Sequence, residues 1–261
     1  MTHSKPRLSI VVTTHHRPVL LARALRSILQ QASDDIEIIL CADESSAQTR
    51  SVAADMLRPR DTFVCNPNLK GPAETRNLGM QLARGQWLCM LDDDDTYADG
   101  HLAALRRLFD RPAGLYYFNY QEVIEERQTD GRAVIVDQRV VDLSLLTVDL
   151  LIVRNFIPNH ALMVSLADAK HHPIDRYLQG LEDWDWLIAL RQSGLMFAHE
   201  PSISTCRLHY DRDQKSRNRA GSFGLDTLSV YRKWPAGSET LQRQRAQILA
   251  ECGIGLPIQF L

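Results

Sequence analysis

An α/β fold built on a mainly parallel sheet is the reading the sequence supports, and three observations carry it. Short apolar runs alternate with helix-period segments through the first half of the chain, the signature of βαβ units. Length and composition agree: 261 residues, 44% hydrophobic and 24% charged, can bury a full core and are typical of a folded globular protein. The third is an apolar strand candidate that ends in four consecutive carboxylates, Asp92-Asp93-Asp94-Asp95. The carboxyl ends of strands are where an open α/β sheet holds its ligand.

The elements follow in order. A first strand is read at 8–13, then a helix at 18–30, in which Leu21, Ala24, Leu25 and Ile28 share one face and Pro18 takes a helix-start position. Strands come next at 36–42 and 62–65. A helix at 72–83 is closed by Arg84-Gly85, and a strand at 86–91 leads into the aspartates. Asp99 reads as the N-cap of a helix through Phe109. From Leu115 the chain reads as one extended run to Glu126, which Thr129-Asp130-Gly131 turns into 133–140, a hairpin signal. A helix at 181–193, strand-like stretches at 195–199 and 202–208, a charged mobile loop at 211–219, and amphipathic helices near 225–234 and 239–251 complete the chain. No repeat or low-complexity linker divides it. It is therefore read as one compact domain whose halves, 1–110 and 111–261, do different jobs.

Composition excludes several classes. A formal net charge of −2 gives no basic field for a nucleic-acid backbone. The stretch from Met1 to Val12 is too short for a signal h-region or a membrane span, so a cytoplasmic protein is expected, with peripheral membrane contact open. The five cysteines are scattered, with no Cys-x-x-Cys pair, and read as small buried residues rather than zinc ligands or disulfides.

Candidate chemistry sits in five segments. Packed like charges raise one another's pKa, so the four aspartates make physical sense with a hard cation, Mg²⁺ or Mn²⁺, upon them. Thr13-Thr14-His15-His16-Arg17-Pro18 ends the first strand and can reach a ligand over the sheet edge. Asp43, ending the second strand, can hydrogen-bond a ribose or a base edge. Gly71 turns the chain into a helix with Arg76 and Asn77 one turn in, where an arginine suits a phosphate or the aspartates themselves. It belongs to neither a Walker A nor a Gly-x-Gly-x-x-Gly fingerprint. Glu182-Asp183 opens a helix beside Trp184 and Trp186, where a carboxylate serves either as a cap or as a general base, and the tryptophans either stack on a ring or fill the core.

Taken together, these residues resemble the inverting family-two glycosyltransferases of the GT-A fold, over about 8–209. Val11-Val12-Thr13-Thr14-His15-His16-Arg17 is similar to that family's strand followed by Pro-Thr-Tyr-Asn-Arg, and Ala42-Asp43-Glu44-Ser45 to its Val-Asp-Asp-Gly-Ser. The specific part is an ordered trio: Arg76-Asn77-x-Gly79, Ala83-Arg84-Gly85 and Leu91-Asp92-Asp93-Asp94-Asp95. The resemblance implies a single Rossmann-like, mainly parallel sheet flanked by helices with a smaller acceptor-side subregion. It implies a nucleotide-diphosphate sugar donor, UDP-linked by preference, held by Thr14, His16, Arg17, Asp43, Arg76, Asp92 and Asp93. Mn²⁺ or Mg²⁺ would sit on Asp94 and His209, and Asp183 would be the base that activates a glycan or lipid-linked glycan acceptor. On this reading 1–110 is the donor half and 111–261 the acceptor and base half. Two rivals remain at this point: a haloacid dehalogenase-like phosphatase with Asp92 as nucleophile and Asp94 as acid, and a nucleotide-sugar-binding module without turnover.

Overall fold

The computed structural model describes residues 5–44, 46–68, 71–112, 114–129, 132–178, 180–211 and 223–261. Ser45, the Asp130-Gly131 turn and most of the charged stretch at 211–219 lie outside them. The strands are β1 (Leu8–His15), β2 (Ile36–Glu44), β3 (Thr62–Cys65), β4 (Trp87–Asp92), β5 (Thr96–Tyr97), β6 (Leu115–Phe118), β7 (Tyr120–Arg127), β8 (Ala133–Val141), β9 (Leu162–Ser165), β10 (Phe197–Glu200) and β11 (Cys206–Asp211). The helices are α1 (Pro18–Leu29), α2 (Ala47–Met56), α3 (Gly71–Leu82), α4 (His101–Arg106), α5 (Leu166–His171), α6 (Glu182–Gln192), α7 (Phe223–Lys233) and α8 (Glu239–Glu251).

A seven-stranded sheet in the order β10-β6-β9-β4-β1-β2-β3 forms the centre, with β9 antiparallel to its neighbours and the other pairings parallel. Successive residues of β1 feed opposite faces: Ile10 and Val12 pack with Leu21 and Leu25 of α1, whereas Val11 packs with Met80 of α3. Coverage of both faces explains the uninterrupted apolar run of this strand. From β1 the chain first builds outward through β2 and β3 and then crosses back to place β4 on the other side. That reversal opens a crevice at the carboxyl ends of β1 and β4. The register sets Thr13 beside Asp92 at that crevice.

Gly79 brings α3 against the sheet. A Cβ there would collide with the Val11 side chain and stand 3.2 Å from Cys41 Sγ. Gly79→Ala is therefore expected to destabilise the protein by about 1–3 kcal/mol through overpacking, measured as a lower urea midpoint with an unchanged slope.

The second half departs from the sequence reading. The extended run from Leu115 is cut at Asn119, where the chain leaves the central sheet for a second one, ordered β5-β11-β7-β8. The Asn119 side chain takes over pairing that a ladder would otherwise supply: its Oδ1 accepts from Leu143 N at 2.9 Å and lies 2.9 Å from His199 Nε2. An apolar run gives no hint of such a switch. The helix expected from Asp99 is shorter, spans His101–Arg106, and begins at left-handed Gly100 without a side-chain cap. Helices α2 and α5 and strand β9 were not foreseen. At the far end, the buried Arg245 guanidinium donates to the carbonyls of Ile152, Trp234 and Leu261, tying α8 to the body.

Candidate active site

Three parallel strands end at one edge and deliver the site. Thr13, Thr14 and His15 come from β1, Asp43 from β2, and Asp92 and Asp94 from the end of β4, all lining a cavity of about 580 Å³ that also takes in Arg17. Gly71, Pro72, Thr75 and Arg76 of α3 close its other side. Gly71, at φ +79°, makes the left-handed turn into that helix, which suits glycine.

The four aspartates do four different things. Asp92 accepts from Thr13 Oγ1 at 2.8 Å and from Arg76 through both oxygens, at 2.9 and 3.0 Å. Burial works to raise its pKa, but Arg76 and the Thr13 hydroxyl hold it below the usual carboxylate range. Asp93 is fully buried, accepts from Thr14 Oγ1 at 2.7 Å and pairs with Arg17. Burial lifts it to about 6. Asp94 faces the cavity and receives Arg17 Nη1 at 2.8 Å, while its carbonyl receives Arg23 at 2.6 Å. Asp95 turns inward, where its Oδ1 accepts from His209 N at 2.9 Å and its Oδ2 lies 3.3 Å from His160 Nδ1. Burial, then Asp94 and Asp92, push it well up.

The four carboxylates do not all face one point. Two of them, Asp92 and Asp94, face the cavity, and arginines offset the repulsion. Among the described residues no three His, Cys, Asp or Glu side chains converge as a metal-holding group.

Asp93 reaches the cavity only through Thr14 and Arg17, not as a ligand-facing group. His16 is also displaced: it sits at φ 51°, pairs with Glu44 at 3.0 Å and does not line the cavity, while His15, 2.9 Å from Asp43, does. His209 does not reach Asp94's cavity. Its Nε2 lies 2.7 Å from Thr96 Oγ1 and its Nδ1 3.0 Å from Glu125, so both nitrogens are engaged and neither can bind a metal as placed. It lines a separate cavity with Arg23, Arg26 and Arg207.

Arg76 carries the link to the second half. Buried to 5% exposure, it spans Asp92 on the β4 loop and Glu182 at the start of α6. Glu182 is thus an ion-pair partner rather than a cap. Its neighbour Asp183 is half-buried and accepts from Trp184 N at 2.8 Å. Burial and then Glu182 raise Asp183 to about 6, against the opposing pull of Arg76. The turn into α6 is strained, because Leu181 sits at φ 58°, a left-handed value that costs a branched residue of order 1–3 kcal/mol. Among the described residues the two non-glycine positive-φ positions, His16 and Leu181, each immediately precede candidate site residues.

The remaining polar and aromatic residues of these motifs are structural. Asn77 clamps Ile174, donating to its carbonyl at 2.8 Å and accepting from its N–H at 2.9 Å, which engages both ends of its side-chain amide. Trp184 and Trp186 are buried, with indole N–H groups bonded to Leu151 O and His172 O, so they are core rather than a ring-stacking wall.

Comparison with known proteins identifies the family and the fold. Residues 9–172 match the model of glycosyl transferase family 2, which is more than half of the chain. The chain belongs to that family. A Campylobacter jejuni protein named GalNAc(5)-diNAcBac-PP-undecaprenol beta-1,3-glucosyltransferase is 40% identical over 103 residues, covering 38% of this chain and 33% of that protein. A glycosyltransferase of Haemophilus influenzae, itself uncharacterized, is 24% identical over 80% of this chain and 71% of its own length. The match thus spans about a third of the Campylobacter relative. Among solved structures, the mannosyltransferase PcManGT of Pyrobaculum calidifontis, in complex with GDP-Man and Mn²⁺, superposes with a TM-score of 0.67 at 15% identity, over 96% of this chain and 74% of that one. S. aureus TarS with UDP-GlcNAc gives 0.64 at 15%, over 94% and 72%. At such identity these two establish the GT-A fold of this family-2 chain. Among the described residues no helix is long and apolar enough to cross a membrane.

Proposed function

We propose that this family-2 protein transfers a sugar from a nucleotide-diphosphate sugar, UDP-linked by preference, to a hydroxyl of a glycan or lipid-linked glycan acceptor, with inversion at the anomeric carbon. The observation that carries the reading is the Arg76 bridge between Asp92 and Glu182. It sets the aspartate loop of one half against the start of the helix that presents Asp183 from the other.

All the cavity-lining residues, from Thr13 to Asp94, belong to 1–110, which supports that half as the donor side. Asp43 and His15 stand at its rim for the nucleoside. Thr14 and Arg17 border the cavity beside Asp94, so Arg17 can take diphosphate charge. Asp183, with its proton affinity raised to about 6 by burial and by Glu182, suits a general base that takes the acceptor proton while the sugar moves. Residues 111–261 supply the acceptor side on this reading.

The residues fit a divalent cation of the Mg²⁺ or Mn²⁺ kind. Asp92 and Asp94 offer hard oxygen donors into one cavity, and two carboxylates completed by substrate phosphate oxygens are the usual donor set for such an ion. When bound there, the ion would neutralise charge on the departing diphosphate. Asp94 and Asp92 would hold it, and His209 is not included.

Calorimetric titration of UDP is the check. Chelation or Asp94→Ala should weaken UDP binding at least ~10-fold, since a phosphate-bridging cation is worth more than one hydrogen bond. Equal affinity in excess chelator would rule out a metal-assisted donor site.

A further inference from the structure

β8 is an outer strand of the second sheet, hydrogen-bonded to β7 on one side and to no other strand among the described residues on the other. It is nine residues long, and Val134, Ile135 and Val140 expose 52%, 52% and 58% of their surface. Outer strands are normally shielded by charges, proline or brevity, because their open N–H and C=O groups template pairing with another chain. Here the exposed charges are Asp137 and Arg139, opposite in sign and two residues apart.

We propose that β8 pairs antiparallel with β8 of a second copy of this chain, on a two-fold axis through Gln138. In an antiparallel self-pairing centred on one residue, positions equally far before and after the centre stand opposite each other. Centring on Gln138 sets Asp137 against Arg139 of the second copy, and Arg139 against its Asp137. Val136 then meets Val140. The neighbouring registers fail. A centre at 137 opposes two aspartates, a centre at 139 opposes two arginines, and the half-step registers put Asp137 opposite Gln138 or Val140. Opposite charges directly across strands are favourable and like charges are not, so charge alone selects one register.

Arg139 also donates to Glu122 of β7 through Nε at 2.7 Å. Its guanidinium has further N–H groups for Asp137 of the second copy. The pairing of Ile124 with Asp137 and of Glu125 with Ile135 makes Val136 a bulge, which ends the regular ladder there. The paired stretch therefore runs over 136–140 in each copy.

Two variants of the full chain test this by complementation in sedimentation equilibrium. Asp137→Arg leaves two arginines on each edge and Arg139→Asp leaves two aspartates, so each alone should lose dimer affinity by at least ~10-fold, a modest value for juxtaposed like charges. Mixed in equal amounts they should associate again, because the two edges then match. As an independent readout, Gln138→Cys in a Cys65→Ser background should form a disulfide-linked dimer under mild oxidation, whereas Val140→Cys, whose copies stand far from the axis, should not. A wild-type chain that stays monomeric, a mixture that fails to associate, equal cross-linking at both positions, or a monomer that sediments with lipid vesicles through β8 would overturn the proposal. It does not depend on the transfer reaction, so its failure leaves that reading untouched.

Discussion

Replacing Asp183 by asparagine lowers sugar transfer by at least ~10²-fold while leaving donor binding nearly intact, the result expected when a base is removed without changing its shape. The asparagine keeps a carbonyl oxygen for Trp184 N, so the first turn of α6 persists. What is lost is the proton acceptor. Burial and the adjacent Glu182 raise this carboxyl to about 6, and the sign of the pH dependence follows. The base works when ionised, so the transfer rate should fall as the pH drops through about 6 and level off above it. Asp183→Asn should abolish that acid limb along with the rate. Glu182→Gln should act differently, because Glu182 spends its charge on Arg76. It should lower stability and loosen Asp183 without erasing the limb. Rates across pH 5 to 8, with a donor titration for each variant, separate the two. A wild-type rate for Asp183→Asn would place the base elsewhere, and loss of donor binding would make the residue part of the donor site.

Arg76→Met is expected to be the most destabilising single change in the site. The arginine is buried, and its removal strands Asp92 and Glu182 as two carboxylates without their cation, a loss of about 3–5 kcal/mol for a broken buried pair. Donor affinity should fall with it, since Asp92 would lose both the Arg76 bonds that orient it. Adding Glu182→Gln removes one stranded charge and should recover part of the stability but not the donor affinity. Arg76→Lys should restore little, because a single ammonium cannot fork between two carboxylates. Urea unfolding and donor titration on the same samples report the two effects. Full stability in Arg76→Met would mean that the bridge carries no weight.

The trio Arg76-Asn77-x-Gly79, Ala83-Arg84-Gly85 and Asp92 to Asp95 was readable because each member is local. One helix start, one turn and one strand end follow within a short stretch, and the pattern of charge and glycine survives in a linear reading. Direction was not readable. A tight turn sends successive side chains different ways, so four identical aspartates became two cavity groups, one buried partner of Arg17 and one acceptor for a distant backbone N–H. The partners of Asp95, His160 and the His209 backbone, lie far along the chain, and no spacing rule ties them to the loop. Arg76 was legible as a partner of the aspartates and does pair with Asp92, whereas Arg17, which pairs with Asp93 and Asp94, was read only as a ligand contact. Gly79 was legible as a motif residue, yet its cause, contact with Val11 across the sheet, needed the packed helix. The break at Asn119 was hidden because both sheets demand apolar, β-branched or aromatic residues, so the change of sheet leaves the pattern intact.

The most direct test is nucleotide release from a panel of nucleotide sugars, with Mn²⁺ and with chelator, in the presence and absence of glycan and lipid-linked glycan acceptors. Acceptor-dependent release of UDP from a UDP-sugar, lost on chelation and in Asp183→Asn, is the predicted result. Release of inorganic phosphate from phosphomonoesters without any nucleotide, or tight nucleotide-sugar binding with no release under any acceptor, would contradict it.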